Sequence, residues 1–86
     1  MFLEVITPDE KVFQGEVESA TFPGSDGSFQ VLNNHAPMIS TLGKGDLKYR
    51  VKIKDKIKDT IILVDGGVVE ILNNRVIVLA EAVLTD

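Results

Sequence analysis

Cysteine is absent from the 86 residues. That removes disulfide cross-links and thiolate metal sites, and it is compatible with a reducing compartment. Histidine occurs once, at His35. A lone imidazole, with no thiol and no serine beside an evident acid–base partner, leaves little material for nucleophilic catalysis or a metal centre. Positive charge is short as well: nine Lys and Arg stand against thirteen Asp and Glu, a formal net charge of −4. Neutralising phosphates needs a basic face, so a nucleic-acid partner is not expected, and the basic run Lys44 to Lys58 is only a local exception. No apolar run approaches the ~20 residues that cross a bilayer, and Met1-Phe2-Leu3-Glu4-Val5 lacks the basic-then-apolar order of a signal peptide. Helical periodicity, internal repeats and low-complexity segments are missing too. A soluble protein without direct membrane insertion is expected, one domain over residues 1–86 with a thin core.

What is present is β-branched and alternating. Leu47-Lys48-Tyr49-Arg50-Val51-Lys52-Ile53 alternates apolar and basic without a fault, the period of a strand with one face in the core and one in water. Its expected partner is Thr60 to Val64, across a charged turn at Lys54 to Asp59. Phe2 to Thr7 predicts a strand, Pro8-Asp9-Glu10 a turn, and Lys11 to Phe22 a second strand bent or bulged at Gly15. Met38 to Leu42 is a further short strand, ended by Gly43-Lys44-Gly45-Asp46. Gly66-Gly67 is expected to break the strand before it, and Asn73-Asn74 to form the two-residue turn of a hairpin between Val68 to Leu72 and Arg75 to Ala80. That hairpin is so apolar that burial of both its faces is expected. Turn signals every 8–12 residues or so point to an all-β antiparallel sandwich, or flattened barrel.

The richest stretch runs from Pro23 to Pro37, where turn-forming Gly24, Gly27, Asn33 and Asn34 flank a short apolar strand, Phe29 to Leu32, and precede His35. A polar, glycine-rich loop on a rigid scaffold is where a small domain most often carries its function. His35 could pair with Asp26 across this loop as an acid–base couple, but the bland role of a hydrogen-bonded turn histidine is preferred. Gly24-Ser25-Asp26-Gly27-Ser28 lacks the lysine and the following helix of a phosphate loop. Asp9, Glu10, Glu16 and Glu18 read as a solvated face. No catalytic, cofactor-binding or metal-ligating residue is assigned, and no small-molecule substrate is expected. One rival has a feature of its own: Asp55-Lys56, expected in a hairpin tip, resembles the attachment site of lipoyl-type carrier domains, with Lys56 as the modified amine.

Taken together, Phe13-Gln14-Gly15, Gly24 to Phe29, Asn34-His35-Ala36-Pro37, Gly45, Gly66-Gly67-Val68-Val69-Glu70 and Val78-Leu79-Ala80-Glu81-Ala82 resemble the N-terminal domain of the epsilon subunit of F-type ATP synthase. The order and spacing agree along nearly the whole chain. The resemblance implies a β-sandwich of about ten strands. It also implies a non-catalytic part of the central stalk, which binds the gamma subunit and sits on the c-subunit ring during proton-driven ATP synthesis. The absence of a transit peptide then favours a peripheral location on the cytoplasmic face of a bacterial inner membrane.

Carried over to this chain, the resemblance places Asp26, Gly27, Ser28 and Phe29, with Asn33, Asn34 and His35, at the c ring, and Ile39 and Leu63 at gamma. Ser28 departs from the carboxylate common at its position, with Asp26 as the nearby substitute, and Gln30 stands where glycine is common. Relatives commonly continue into a two-helix C-terminal domain that restrains ATP hydrolysis. This sequence stops at Asp86, so inhibition and ATP sensing are not expected of it.

Overall fold

The computed structural model describes residues 1–84; the expected domain end at Asp86 lies outside them. Among the described residues the regular structure is all strand. In chain order these are β1 (Phe2–Ile6), β2 (Lys11–Glu16), β3 (Ser19–Gly24), β4 (Gly27–Leu32), β5 (Met38–Ile53), β6 (Lys56–Leu72) and β7 (Arg75–Ala80). They pair in the order β2-β1-β7-β6-β5-β3-β4, every neighbouring pair antiparallel except β1 with β7, which is parallel.

The all-β expectation holds, but there are fewer and longer strands. Gly43 to Asp46 and Gly66-Gly67 do not end strands. β5 and β6 keep a single register from Met38↔Ile71 to Ile53↔Lys56, interrupted only at Gly43 and Gly66, where the Gly66 carbonyl accepts from the Glu81 N–H instead. The hairpin creases there instead. Its half near Met38 and Leu72 joins β7, β1 and β2 in one layer, and its half near Leu47 and Ile62 joins β3 and β4 in the other. Gly66 and Gly67 take φ of 77° and 136° at the crease. A Cβ on Gly67 would stand 2.3 Å from the Leu79 carbonyl oxygen, so the backbones meet where only hydrogen fits.

Two other boundaries differ from expectation. Lys11 to Phe22 is not one bent strand: the chain leaves β2 after Glu16, passes through buried Val17 and enters β3 in the opposite layer. Gly15 sits in regular register opposite Leu3, and the shift falls between Val5 and Ile6, leaving Val12 as the extra residue. The charged turn at the end of the β5–β6 hairpin is only Lys54 and Asp55, Lys54 with φ 57°.

Alternation explains the core. Leu3 and Val5 of β1, Val69 and Ile71 of β6, and Val76 and Val78 of β7 point inward from one layer; Phe22, Val31, Leu47, Tyr49, Ile62 and Val64 answer from the other. The Phe13 ring of β2 lies 4.2 Å, centroid to centroid, from Tyr49 of β5, one of the contacts that join the layers. Fully burying a side chain of the Val, Leu or Phe class is worth about 1.5–3 kcal/mol, and this shared cluster is what the two layers have to offset the entropy of ordering the chain.

Candidate functional site

The Pro23 to Pro37 stretch forms a hairpin and a second turn, so the glycine-rich segment is strand for most of its length. β3 and β4 pair in unbroken register from Ser19↔Leu32 to Gly24↔Gly27, closed by the two-residue turn Ser25-Asp26. Gly27 adopts φ 124°, and a Cβ on Gly24 would stand 2.6 Å from the Gly27 carbonyl, which explains both glycines. The tip is tied to β5: Ser25 N–H donates to the Thr41 carbonyl at 3.1 Å, and the Thr41 hydroxyl donates to Ser25 Oγ at 2.9 Å. Asp26, Gly27 and Ser28 are exposed. Phe29 is half-buried, its ring 5.5 Å from that of Phe22, so much of it serves the core.

Asn33 and Asn34 turn the chain at the other end of β4, Asn34 with φ 62°. This turn is held from outside itself: Asn33 Oδ1 accepts from the Met1 ammonium at 2.6 Å, and Asn74 Oδ1 accepts from the Asn34 N–H at 2.8 Å. Asn74 and its neighbour Asn73 form the β6–β7 turn, with φ of 60° and 51°, the positive pair that a type I′ hairpin turn demands and asparagine tolerates. His35 Nδ1 donates to the carbonyl of its neighbour Ala36 at 2.7 Å.

β4 therefore separates the two turns. Six strand residues at ~3.4 Å each put them roughly 20 Å apart, so His35 and Asp26 do not meet and the acid–base couple is excluded. The structure presents Asp26, Gly27 and Ser28 at one end of an edge strand, and Asn33, Asn34 and His35 at the other.

Ile39 and Leu63 likewise do not share a surface. Ile39 is 71% exposed on the outer face of the β2-β1-β7 layer, whereas Leu63, between buried Ile62 and Val64, is half-buried on the outer face of the opposite layer. Ile39 has company that the sequence reading missed. Val68, Leu72 and Leu79 are also exposed, and the row Thr41, Val68, Leu79, Ile6 crosses four neighbouring strands. The β6–β7 hairpin is thus not buried on both faces: Val69, Ile71, Val76 and Val78 fill the core, and among the described residues no layer covers the other side. Period-two alternation cannot distinguish an apolar face covered by the same chain from one left outside.

Charge sits on the outer face of the β4-β3-β5 layer. Arg50 Nε and a second guanidinium nitrogen reach both oxygens of Asp59, at 2.8 and 3.2 Å, with Lys48 Nζ at 3.6 Å. The Arg50 hydrogen bonds hold the Asp59 carboxyl below its ordinary range, with Lys48 adding to the effect. Lys56 is exposed as the first residue of β6, paired opposite Ile53 rather than placed in the two-residue turn.

Residues 1–86 match the family described as the beta-sandwich domain of the ATP synthase delta/epsilon chain. The ATP synthase epsilon chain of Salinibacter ruber is 38% identical over 94% of this chain and 58% of its own length. That of Chlorobium limicola is 40% identical over 94% of this chain and 89% of its own. The chain thus spans little more than half of some relatives and most of others. Two solved assemblies share the fold. One, from the central stalk and c ring of the Tetrahymena thermophila mitochondrial ATP synthase, has a TM-score of 0.78 at 19% identity, over 96% of this chain and 64% of its own. The other, from the Euglena gracilis mitochondrial ATP synthase, has a TM-score of 0.80 at 20% identity, over 95% and 51%.

Proposed function

Because this chain belongs to the delta/epsilon beta-sandwich family of ATP synthase, we propose that it is a non-catalytic central-stalk subunit coupling gamma to the c ring in proton-driven ATP synthesis. The observation that carries this reading is the family match along the whole sequence, on a sandwich with an uncovered apolar face. In this reading residues 1–86 act as one domain. It is peripheral, on the cytoplasmic face of a bacterial inner membrane, and held there by protein partners. Among the described residues no helix is long and apolar enough to cross a membrane. Lys56 as a carrier lysine has no comparable support and is set aside.

The faces divide the work. The apolar outer face around Ile39, Val68, Leu72 and Leu79 is the side we assign to gamma, where removing it from water would contribute at roughly 25 cal/mol per Å². The β4 side, with Asp26, Gly27, Ser28, Asn33, Asn34 and His35, is the side for the c ring; Phe29 supports its edge. Leu63, on the opposite outer face from Ile39, would meet gamma only if that subunit wraps the sandwich.

The test is reconstitution with gamma and the c ring of the same organism, with intact-mass analysis of the chain. Co-assembly at fixed stoichiometry and an unmodified bait mass is the expected result; a chain that stays alone, or gains mass on Lys56, would refute the rotor reading. Asp26→Lys with Ser28→Lys probes the ring side. Gly27 does not serve, because its positive φ makes any side chain there a folding perturbation as well.

A further inference from the structure

Beyond Arg50 the β5–β6 hairpin leaves the sandwich. β3 pairs with β5 as far as Ser19↔Arg50, with one further bond from the Glu18 N–H to the Arg50 carbonyl at 2.8 Å. The rows Val51↔Lys58, Lys52↔Ile57 and Ile53↔Lys56, with the turn Lys54-Asp55, therefore continue as a two-stranded ribbon that stands ~10 Å proud at ~3.4 Å per residue. Its composition is unlike that of the whole. Four lysines stand against one aspartate between Lys52 and Lys58, in a protein of net charge −4. Among the described residues no carboxylate pairs with these four lysines, whereas Lys48 and Arg50 at the ribbon's base are both engaged by Asp59.

Lysine on an exposed strand guards it against edge-to-edge pairing, but that role does not account for the isoleucines between the lysines. Ile53 and Ile57 are 65% and 58% exposed. Residues directly opposite on paired strands share a face, so Ile53 and Lys56 lie on the face that continues from Leu47 and Tyr49, and Ile57 and Lys52 on the reverse. Each face of the ribbon thus carries an exposed isoleucine beside a lysine. A protein surface laid against one face would leave the isoleucine of the other in water. A medium that closes around the tip covers both, and the headgroup region of an anionic bilayer is such a medium: lysine stems lie along apolar surface while their ammonium groups stay level with the phosphates. The height fits as well, since interfacial segments sink ~5–10 Å.

We infer that the tip of the β5–β6 hairpin is a membrane-contact site for anionic phospholipid headgroups. Lys52, Lys54, Lys56 and Lys58 meet the phosphates, and Ile53 and Ile57 enter the boundary with the acyl chains; the ribbon does not cross the bilayer. This contact goes beyond the protein partners assigned above. Attraction to an anionic surface rests on the tip alone, and only its orientation rests on the rotor reading. The row Leu32, Ser19, Arg50, Asp59 crosses the layer, so the ribbon projects from the end at which β4 passes into Asn33 and Asn34, a turn that reading places at the ring.

The experiment is flotation of the chain with vesicles of equal parts phosphatidylcholine and phosphatidylglycerol, compared with vesicles of phosphatidylcholine alone. Partition at least tenfold stronger on the anionic vesicles is expected at about 0.01 M salt, falling at least fivefold at about 1 M, where the Debye length shrinks from ~30 to ~3 Å. Lys54→Gln with Lys56→Gln should lower the partition at least fivefold, and Lys11→Gln with Lys44→Gln, which removes the same charge elsewhere, should leave it within twofold at about 0.1 M salt. Ile53→Ser with Ile57→Ser keeps the charge and should also lower it at least fivefold. Should a double variant fail to fold, the native chain decides together with Ile57→Trp, which gives a protein without tryptophan a single one. Its emission should move to shorter wavelength on anionic vesicles and be quenched by brominated acyl chains. No partition, equal partition on both vesicles, or indifference to the tip variants overturns the inference. Tip variants should co-assemble with gamma and the c ring within twofold of the native chain; the rotor reading falls only if the native chain does not co-assemble. A tryptophan that ignores vesicles and shifts on binding gamma gives the tip to an acidic protein surface and overturns the proposal.

Discussion

The crease in the β5–β6 hairpin makes a sharp prediction, because two glycines near it have opposite requirements. Gly67 has φ 136°, and a Cβ there would fall 2.3 Å from the Leu79 carbonyl oxygen and 2.9 Å from Ala80 Cα, both backbone atoms of β7. Gly67→Ala must therefore strain its own backbone, at about 1–3 kcal/mol, and push β7 outward, at a further 1–3 kcal/mol. At roughly 0.05–0.15 kcal/mol per residue, a domain of this size has about 4–13 kcal/mol in total, so the variant should sit near the edge of folding. Gly43, on the facing strand, has no positive φ, and its added Cβ would find nothing nearer than 3.9 Å. Gly43→Ala should be neutral or stabilise by up to about 1 kcal/mol, by narrowing the unfolded ensemble. Urea unfolding of the two variants, with linear extrapolation and comparison of m-values, measures the contrast. A loss below about 1 kcal/mol in Gly67→Ala, or similar losses in both, would refute the account of the crease.

Three further outcomes follow from the same geometry. Leu3→Ala, fully buried between the layers, should lose about 2–5 kcal/mol, whereas Leu79→Ser on the uncovered face should stay within about 0.5 kcal/mol in the isolated chain yet weaken binding to gamma; thermal melts and co-sedimentation with gamma separate the two effects. Asn74→Gly keeps the positive φ but removes the acceptor of the Asn34 N–H, so exchange of the Asn34 amide should accelerate several-fold, while Asn74→Asp restores it. The Asp59 carboxyl is depressed by Arg50, so its contribution is present above the ordinary carboxylate pKa of about 3.9 and lost as the pH falls through its lower folded value; the difference in melting temperature between the native chain and Asp59→Asn should shrink across that acid range and be flat from pH 5 to 8.

How much of this was legible beforehand depends on whether a signal is local. The faultless alternation of Leu47 to Ile53 states which face is inward, and the structure buries Leu47 and Tyr49 accordingly. Asn73-Asn74 states a turn by its own backbone chemistry. Gly66-Gly67 was ambiguous in kind: glycine marks a special backbone position, and only the contact with Leu79, twelve residues on, shows that this one is a crease in a continuing strand. The passage from β2 to β3 hid for the opposite reason, since buried Val17 carries no turn signature and the chain changes layers without a glycine or proline. At the candidate site the residue types were readable and their grouping was not. Asp26 and His35 are nine positions apart in sequence, close enough to imagine as one loop, and the strand between them makes them two ends.

That continuity of β5 and β6 bears on the proposed role. In a sandwich whose layers are linked only by loops, a sideways load on one sheet reaches the other through side-chain packing. Here the β5–β6 ladder resumes in the same register on either side of Gly43 and Gly66, so main-chain pairing close to the crease and two covalent strands join the layers together. Shear between the layers must bend that ladder as well as slide the core, and close-packed interiors already resist compression. Gamma on the β2-β1-β7 layer and the ring on β4 would then be connected through a hairpin common to both layers. Gly67→Ala should on this argument damage coupling beyond its effect on binding. If a rotor carrying the variant, kept folded by its partners, drives ATP synthesis at the native rate per proton, the crease is a packing solution and nothing more.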